Sequence, residues 1–363
     1  MSIESIIKEQ LEAMDIEQIE DLFDIASRNG SIFKDISPGE IIQSLIRGES
    51  IFDLNDILGA ICNHFMHEIT GSIVLGIQIV AICIIIGLLK NFSTSFSDET
   101  VSSLGIIVCS CCVMILCLKV FMEVYKICSN SVETMTVTMQ ALLPVLVPLL
   151  IAMGSFTSGS ILNPFIVTAI TIFNSILQRV IMPAIYLSCI FILVNSLSDR
   201  DYVKKLALFI RGFAIAAMGL SVTLFSGLTI MQGMVTKTAD GMLAKTAKYS
   251  VDNFVPIVGG FAADSIDLIL SCTTIIKNGV GIFGLIIILT LLIIPMVKIL
   301  AVAIVFKLTA VITEPISNKT ISDCLNEIGN TVITLAVILF LGAMMFLIFL
   351  AIIIGIGEGK LWR

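Results

Sequence analysis

The sequence predicts an all-α, polytopic integral membrane helical bundle, and three observations carry that prediction. Hydrophobic residues make up 57% of the 363 residues and charged residues only 13%, whereas a soluble domain has about 25% charged residues. The mean hydropathy is +1.06. Several runs carry no charge over about 20 residues, which is the length that a helix needs to cross a bilayer.

Charge divides the chain into an acidic first part and a weakly basic remainder. Residues 1–68 hold 14 acidic and 4 basic side chains, and their apolar residues recur at helical spacing. We predict a polar, helical N-terminal region at 1–68, a polytopic membrane domain at 69–357 and a short tail at 358–363. The first ten residues, MSIESIIKEQ, do not have the pattern of a signal peptide. A net charge of −7 argues against binding to nucleic acid.

Five uncharged runs each predict a spanning helix. The clearest is the last, which is free of charge over 27 residues. The runs are 69–89, 100–118, 212–236, 278–297 and 331–357.

The middle of the chain is less regular. Residues 134–178 carry no acidic side chain, lysine or arginine, but Pro144, Pro148 and the soft stretch from Gly154 interrupt the run. We therefore predict a broken segment here.

Residues 161–197 would be about 55 Å long as one helix, which is too long for a single span. Either two helices turn tightly near Arg179 and Pro183, or the chain bends there. The total is seven or eight membrane segments, some of which are expected to be half-spans.

The connecting segments set the expected orientation. Residues 232–250 read as an amphipathic helix that either lies on the membrane surface or packs in the core. The densest basic cluster runs from Arg200 to Arg211. Placing it in the cytoplasm, with 161–197 counted as two spans, puts the N-terminus outside.

Two parts of the membrane domain, 101–198 and 206–307, look like copies of one unit. Pro148 and Pro256 are 108 residues apart, and Pro183 and Pro295 are 112 apart. Broken helices at matching positions of two halves point to a binding site or pathway at the bilayer midplane. The alternative is chance, because proline and glycine are common in membrane helices.

No enzyme motif is present, so we predict a non-enzymatic protein without a metal or cofactor. Ionisable side chains in apolar segments are costly and therefore informative. Asp264 and Asp267 share one helix face, and Lys298 is a candidate partner for either. On one interpretation Asp264 and Asp267 belong to a polar pathway or to a buried ion pair. On the other they cap a helix or make packing contacts. Lys119 and Lys307 near helix ends are expected to snorkel.

Three segments resemble the stage III sporulation protein AE family. They are the acidic QLEAMDIEQIEDLF (Gln10–Phe23), the proline-containing ALLPVLVPLLIAMGS (141–155) with a following NPF (163–165), and SVDNFVPIVGGFAADSIDLIL (Ser250–Leu270). Within the last segment the family pattern is matched by Phe254, Pro256, Val258, Gly259, Asp264 and Asp267. The resemblance assigns no individual role to these residues. Members of the family can begin with a cleavable signal sequence, and this N-terminus departs from that pattern.

The resemblance implies a subunit of a channel or secretion-like complex in the mother-cell membrane around the forespore. Its implied partners are the other spoIIIA-encoded membrane subunits, their ATPase, and stage II sporulation protein Q of the forespore. The competing hypothesis is a free-standing secondary transporter with a midplane pathway. The candidate structural or pathway residues are Pro144, Pro148, Gly154, Arg179, Pro183, Phe254, Pro256, Gly259, Asp264, Asp267, Pro295 and Lys298.

Overall fold

The fold is known from a computed structural model that describes most of the chain. The described residues are 54–95, 99–153, 163–197, 202–254, 259–316 and 319–355. Among them, side chains are not described chiefly at 54–58, 91–95, 99–103, 243–254 and 259–270. Gly154, Pro256, Val258 and the predicted tail lie outside the described residues, as does the predicted N-terminal region up to residue 53.

Helices make up the described residues almost entirely, and no strand occurs among them, so the all-α prediction is confirmed. The elements are α1 (Leu54–Ser95), α2 (Glu99–Ala152), α3 (Asn163–Ile176), a π-helical segment (Leu177–Ile181), α4 (Met182–Asn195), α5 (Lys204–Phe254), α6 (Gly259–Thr313) and α7 (Lys319–Gly355). The predicted division at residue 68 falls inside α1.

Six helical stretches in the described residues are long and apolar enough to cross a membrane, so the prediction of seven or eight segments is too high. Pro144 and Pro148 do not break α2, which continues to Ala152. Residues 232–250 continue α5 rather than forming a separate helix. The six candidate spans are Gly59–Lys90, Leu104–Ala152, Pro164–Asn195, Lys204–Thr236, Ser271–Thr313 and Lys319–Gly355.

The stretch 164–195 is one candidate span rather than two, because a π-helical segment accommodates Pro183. A proline lacks the N–H group, and in an α-helix its ring clashes with the carbonyl four residues earlier, here that of Arg179. The wider π turn at Leu177–Ile181 precedes this proline, and the Met182 N–H donates to the Leu177 carbonyl. The helical path therefore continues, and the alternative of a tight turn is wrong.

Helices α6 and α7 form the central antiparallel pair of the bundle. Helix α6 also packs against α1 and α2, whereas α7 packs against α2, α4 and α5. Phe173 links α3 to α5 and α7 through edge-to-face ring contacts with Phe225 and Phe346, whose centroids lie 6.0 Å and 6.2 Å away. Interlocking aromatic contacts of this kind stabilise the junction of three helices.

The helices run up and down, with three hairpins at one end of the bundle. A side chain on Gly87, near the end of α1, would clash with the Ile316 carbonyl beyond the end of α6. Arg211, near the start of α5, contacts Glu327, near the start of α7. We call this the hairpin end. The other end of the bundle has the start of α1 and the end of α7.

The two predicted repeat units have similar helix order but different proline environments. Each unit contains a helix of more than 50 residues followed by further helix, α2 before α3 and α5 before α6. Pro183 follows a π-helical segment, whereas Pro295 lies inside the α-helix α6. Pro148 is helical, and its counterpart Pro256 is not described. The repeat stays a prediction.

Candidate functional site

A salt bridge inside the bundle joins α5 to α7. The Arg211 Nη1 atom lies 2.9 Å from Glu327 Oε2 and also approaches Thr331 Oγ1 at 3.4 Å. The two charged side chains are only 16% and 19% exposed. A charge-assisted hydrogen bond shielded from water in this way holds two helices in register. The sequence interpretation used Arg211 only for orientation and did not single out Glu327.

Lys307 of α6 is held by two amide side chains of α7. Its Nζ atom donates to Asn326 Oδ1 at 2.7 Å and to Asn330 Oδ1 at 2.5 Å. The prediction that Lys307 snorkels to the membrane surface is therefore wrong, because the ammonium group finds acceptors within the bundle. The sequence signal that we missed is the polar series Asn326, Glu327, Asn330 and Thr331 directly before the apolar run. We call Arg211, Glu327, Thr331, Lys307, Asn326 and Asn330 the inner network.

One glycine of α7 lies near the centre of the longest uncharged run of that helix, a level that we take as the bilayer midplane. Gly342 is two residues from the centre of the uncharged run 331–357. A methyl group on this glycine would lie 3.7 Å from Met218, 3.8 Å from Leu177 and 4.0 Å from Val132. Elements α2, α5, α7 and the π-helical segment therefore meet at about the same level, that of the inferred midplane.

Polar side chains surround this level on the outer face of α2 and the π-helical segment. Ser129 Oγ donates to Gln178 Oε1 at 2.8 Å, and Gln178 Nε2 donates to the Ser129 carbonyl at 3.1 Å. Asn130, Glu133 and Arg179 are exposed. We call these five residues the midplane patch.

The charges of the midplane patch point away from the bundle. Among the described residues, Glu133 and Arg179 have no ion-pair partner within 4.0 Å. A charged side chain at the centre of a membrane helix costs about 2.5–3.5 kcal/mol on insertion scales. This outer face therefore requires a covering other than lipid, and the patch is the candidate functional site.

Lys298 has a different partner from the one expected. Its Nζ atom lies 3.5 Å from Glu123 Oε1 of α2, in a pair whose side chains are 36% and 62% exposed. The predicted pairing with Asp264 or Asp267 is wrong because all three residues belong to α6. The shorter separation, 31 residues, corresponds to about 46 Å along a helix.

The remaining predicted site residues are dispersed. Pro144, Pro148 and Pro183 are exposed, whereas Pro295 is buried within α6. Phe254 ends α5, and Gly259, Asp264 and Asp267 belong to α6, but their side chains are not described. Of the residues predicted for a pathway, the structure places Arg179 in the midplane patch. For the others the pathway role stays a prediction.

Lys277 is completely buried near the end of the bundle opposite the hairpins. Its Nζ atom donates to the Ile354 carbonyl at 2.6 Å, one residue before the end of α7. A lysine at this position satisfies a terminal carbonyl and complements the negative end of the helix dipole. The contact fastens α6 to the last turn of α7.

A small cavity lies between α1, α2 and α6. Its volume is about 10 Å³, and its lining is almost entirely apolar. A cavity of about this volume holds one water molecule at most. It is therefore not a site for a transported substrate. The lining residues are Ser72, Leu75, Ile79, Val120, Val302, Val305, Phe306 and Thr309.

The fold and the midplane patch define a polytopic helical membrane protein with a charged interruption in its outer surface. The family model for stage III sporulation protein AE matches residues 36–357, and the chain belongs to this family. The chain is also 30% identical over 338 residues to "Stage III sporulation protein AE" of Bacillus subtilis (strain 168). That match covers 92% of this chain and 84% of the relative. The predicted resemblance is confirmed. No solved structure matches the chain.

Proposed function

We propose that this chain is a non-enzymatic membrane subunit of a channel or secretion-like complex between the mother cell and the forespore. It resides in the mother-cell membrane around the forespore and is required for forespore development. Its partners are the other spoIIIA-encoded membrane subunits, their ATPase and, directly or through those subunits, stage II sporulation protein Q. Membership of a stage III sporulation family supports a role in sporulation, and the midplane patch supports a role as a subunit of a complex.

The outward direction of the midplane patch is the observation that carries the proposal. A solitary bundle would expose Glu133 and Arg179 to hydrocarbon, whereas an assembly of subunits keeps lipid away from them. A solitary transporter instead gathers its polar groups around a substrate site between its helices. The buried charged groups of this bundle bind partners of the same chain, as Arg211 and Glu327 do.

An in-frame deletion with complementation tests this function. We expect the deletion strain to grow normally and to arrest after engulfment, with loss of heat-resistant spores. The wild-type chain should copurify with the spoIIIA-encoded subunits, and a Glu133→Leu/Arg179→Leu variant should reach the membrane but leave spore yield near that of the deletion. The matched control is Lys205→Leu, which removes an exposed charge at the hairpin end and should complement.

Two results would overturn the proposal. Normal spore yield in the deletion strain would remove the role in sporulation. Arrest with a wild-type chain that copurifies with no other subunit, and that moves a solute when reconstituted alone in vesicles, would favour the free-standing transporter.

A further inference from the structure

We propose that the midplane patch is the centre of a polar stripe that lines a water-filled passage across the bilayer. This inference rests on the proposed function, because one bundle cannot enclose a passage on its outer face. The polar stripe consists of Lys119, Glu123, Lys126, Asn130, Glu133 and Gln140 on α2, with Thr168, Thr171 and Arg179 on α3 and the π-helical segment.

The length of the polar stripe matches the membrane. Its α2 residues recur every three or four positions up to Glu133, which places them on one face of the helix. From Lys119 to Gln140 the helix rises about 32 Å, and the hydrocarbon core of a bilayer is about 30 Å thick. Exposed Val137 interrupts this line between Glu133 and Gln140. A local contact with a neighbouring protein would not need polar side chains over most of this depth.

The polar stripe is two helices wide. Gln140 Nε2 lies 3.5 Å from Thr171 Oγ1 of α3, and the Ser129–Gln178 pair joins α2 to the π-helical segment nearer the hairpin end. Thr168 and Thr171 are exposed on α3 beside this line of contact. The polar surface therefore continues on α3 toward the end opposite the hairpins.

Water can solvate the charged side chains of the polar stripe. Lys119, Lys126, Glu133 and Arg179 have no ion-pair partner within 4.0 Å in the described part of the chain, and they are of mixed sign. A protein partner would need a matching charge at each level, whereas water solvates both signs. On α5, Leu220, Leu224 and Leu228 are exposed, which is typical of a face toward lipid.

A buried oxygen beside the polar stripe also calls for a small donor. Asn174 Oδ1 of α3 has no hydrogen-bond partner among the described residues. Along the chain it falls between Thr171 and Gln178, through which α3 and the π-helical segment contact α2. Buried polar groups in proteins are nearly always satisfied, and ordered water commonly supplies the missing partner.

Thiol accessibility in the assembled complex tests the passage. Asn130→Cys and Thr171→Cys place a thiol on the polar stripe, and Leu224→Cys places the matched control on the exposed apolar face of α5. All three are made in a Cys62→Ser/Cys112→Ser background, which removes the two exposed native thiols. The probe is a cationic, membrane-impermeant methanethiosulfonate, added to membranes from sporulating cells. We expect the stripe thiols to react at least about tenfold faster, because the reactive thiolate forms only where water solvates it.

Any other outcome of this assay would contradict the water-filled passage. Each such outcome can be distinguished from failure of the proposed function. Rates as slow as that of Leu224→Cys would mean that water does not reach the stripe. Protection from the probe together with disulfide cross-linking to a neighbouring subunit would make the stripe a protein interface, while the role as a subunit would stand. If Asn130→Cys does not accumulate in the membrane, Thr171→Cys alone decides. Loss of the proposed function itself appears separately, as normal spore yield in the deletion strain.

Discussion

The inner network and the midplane patch place charges within the same membrane bundle in opposite ways. In the inner network Arg211 lies 2.9 Å from Glu327, and Lys307 donates to two asparagine side chains. In the midplane patch Glu133 and Arg179 are exposed on the outer surface. The first arrangement satisfies its charges within one chain, and the second requires something outside the chain.

The inner network is therefore expected to contribute to stability, and the midplane patch to function. A buried pair whose partner is removed leaves an uncompensated charge, so a change in the inner network should lower the free energy of unfolding. An exposed side chain contributes little to the packing of its own chain, so a change in the midplane patch should leave folding almost unaffected. Two substitutions in the inner network and one in an ion pair on the outer surface test whether enclosed charges contribute more to stability than exposed ones, and their expected effects decrease in order.

Glu327→Ala should have the largest effect. The substitution leaves the Arg211 guanidinium without its carboxylate in a poorly solvated position, which should cost about 3 kcal/mol of the free energy of unfolding. Reversible unfolding in detergent, together with the amount of protein in the membrane, measures this loss. The control Glu314→Ala removes an exposed carboxylate at the hairpin end and should be nearly neutral. Equal stability of the two variants would show that the salt bridge does not hold α5 to α7.

Lys307→Met should have a smaller effect. It removes the donor from Asn326 Oδ1 and Asn330 Oδ1, and unsatisfied acceptors of this kind should cost about 2 kcal/mol in the same unfolding assay. Adding Asn330→Leu should recover part of the loss, because the two sites share one network and their effects do not add. Strict additivity of the two substitutions would contradict a shared network.

Lys298→Met should have the smallest effect. Its pair with Glu123 is 3.5 Å long and partly exposed, and such pairs contribute less than about 1 kcal/mol. The comparison variant is Lys307→Met, because both substitutions remove a lysine from α6. A loss as large as that of Lys307→Met would mean that Lys298 belongs with the inner network rather than with the outer surface.

The sequence predicted the class of protein correctly, but it did not predict where a helix continues through a proline. Composition and uncharged runs predicted helices that cross a membrane, because lipid leaves few alternatives for the backbone. The count was too high because Pro144 and Pro148 were treated as breaks, although they lie inside α2. A proline can remain inside a helix when neighbouring helices or a small backbone adjustment compensate for its missing hydrogen bond. The π turn before Pro183 is such an adjustment. Local sequence does not determine whether this compensation occurs.

The candidate site was predictable only in part. Arg179 was singled out because an ionisable residue between apolar runs is costly, and the structure places it at the midplane. Glu133 was not singled out, because along the sequence it only borders the uncharged run that begins at residue 134. Its depth became visible when Val132, Leu177 and Met218 were found around Gly342.

The sequence by itself determined that this protein is an all-α membrane protein and a member of the stage III sporulation protein AE family. Both conclusions depend on composition and on local segments, which can be read along one chain. The tertiary structure decided which charges are satisfied internally and which face outward. Partners such as Lys298 with Glu123, or Arg211 with Glu327, are more than 100 residues apart in sequence. Helix packing brings such residues together, and no local pattern specifies that packing.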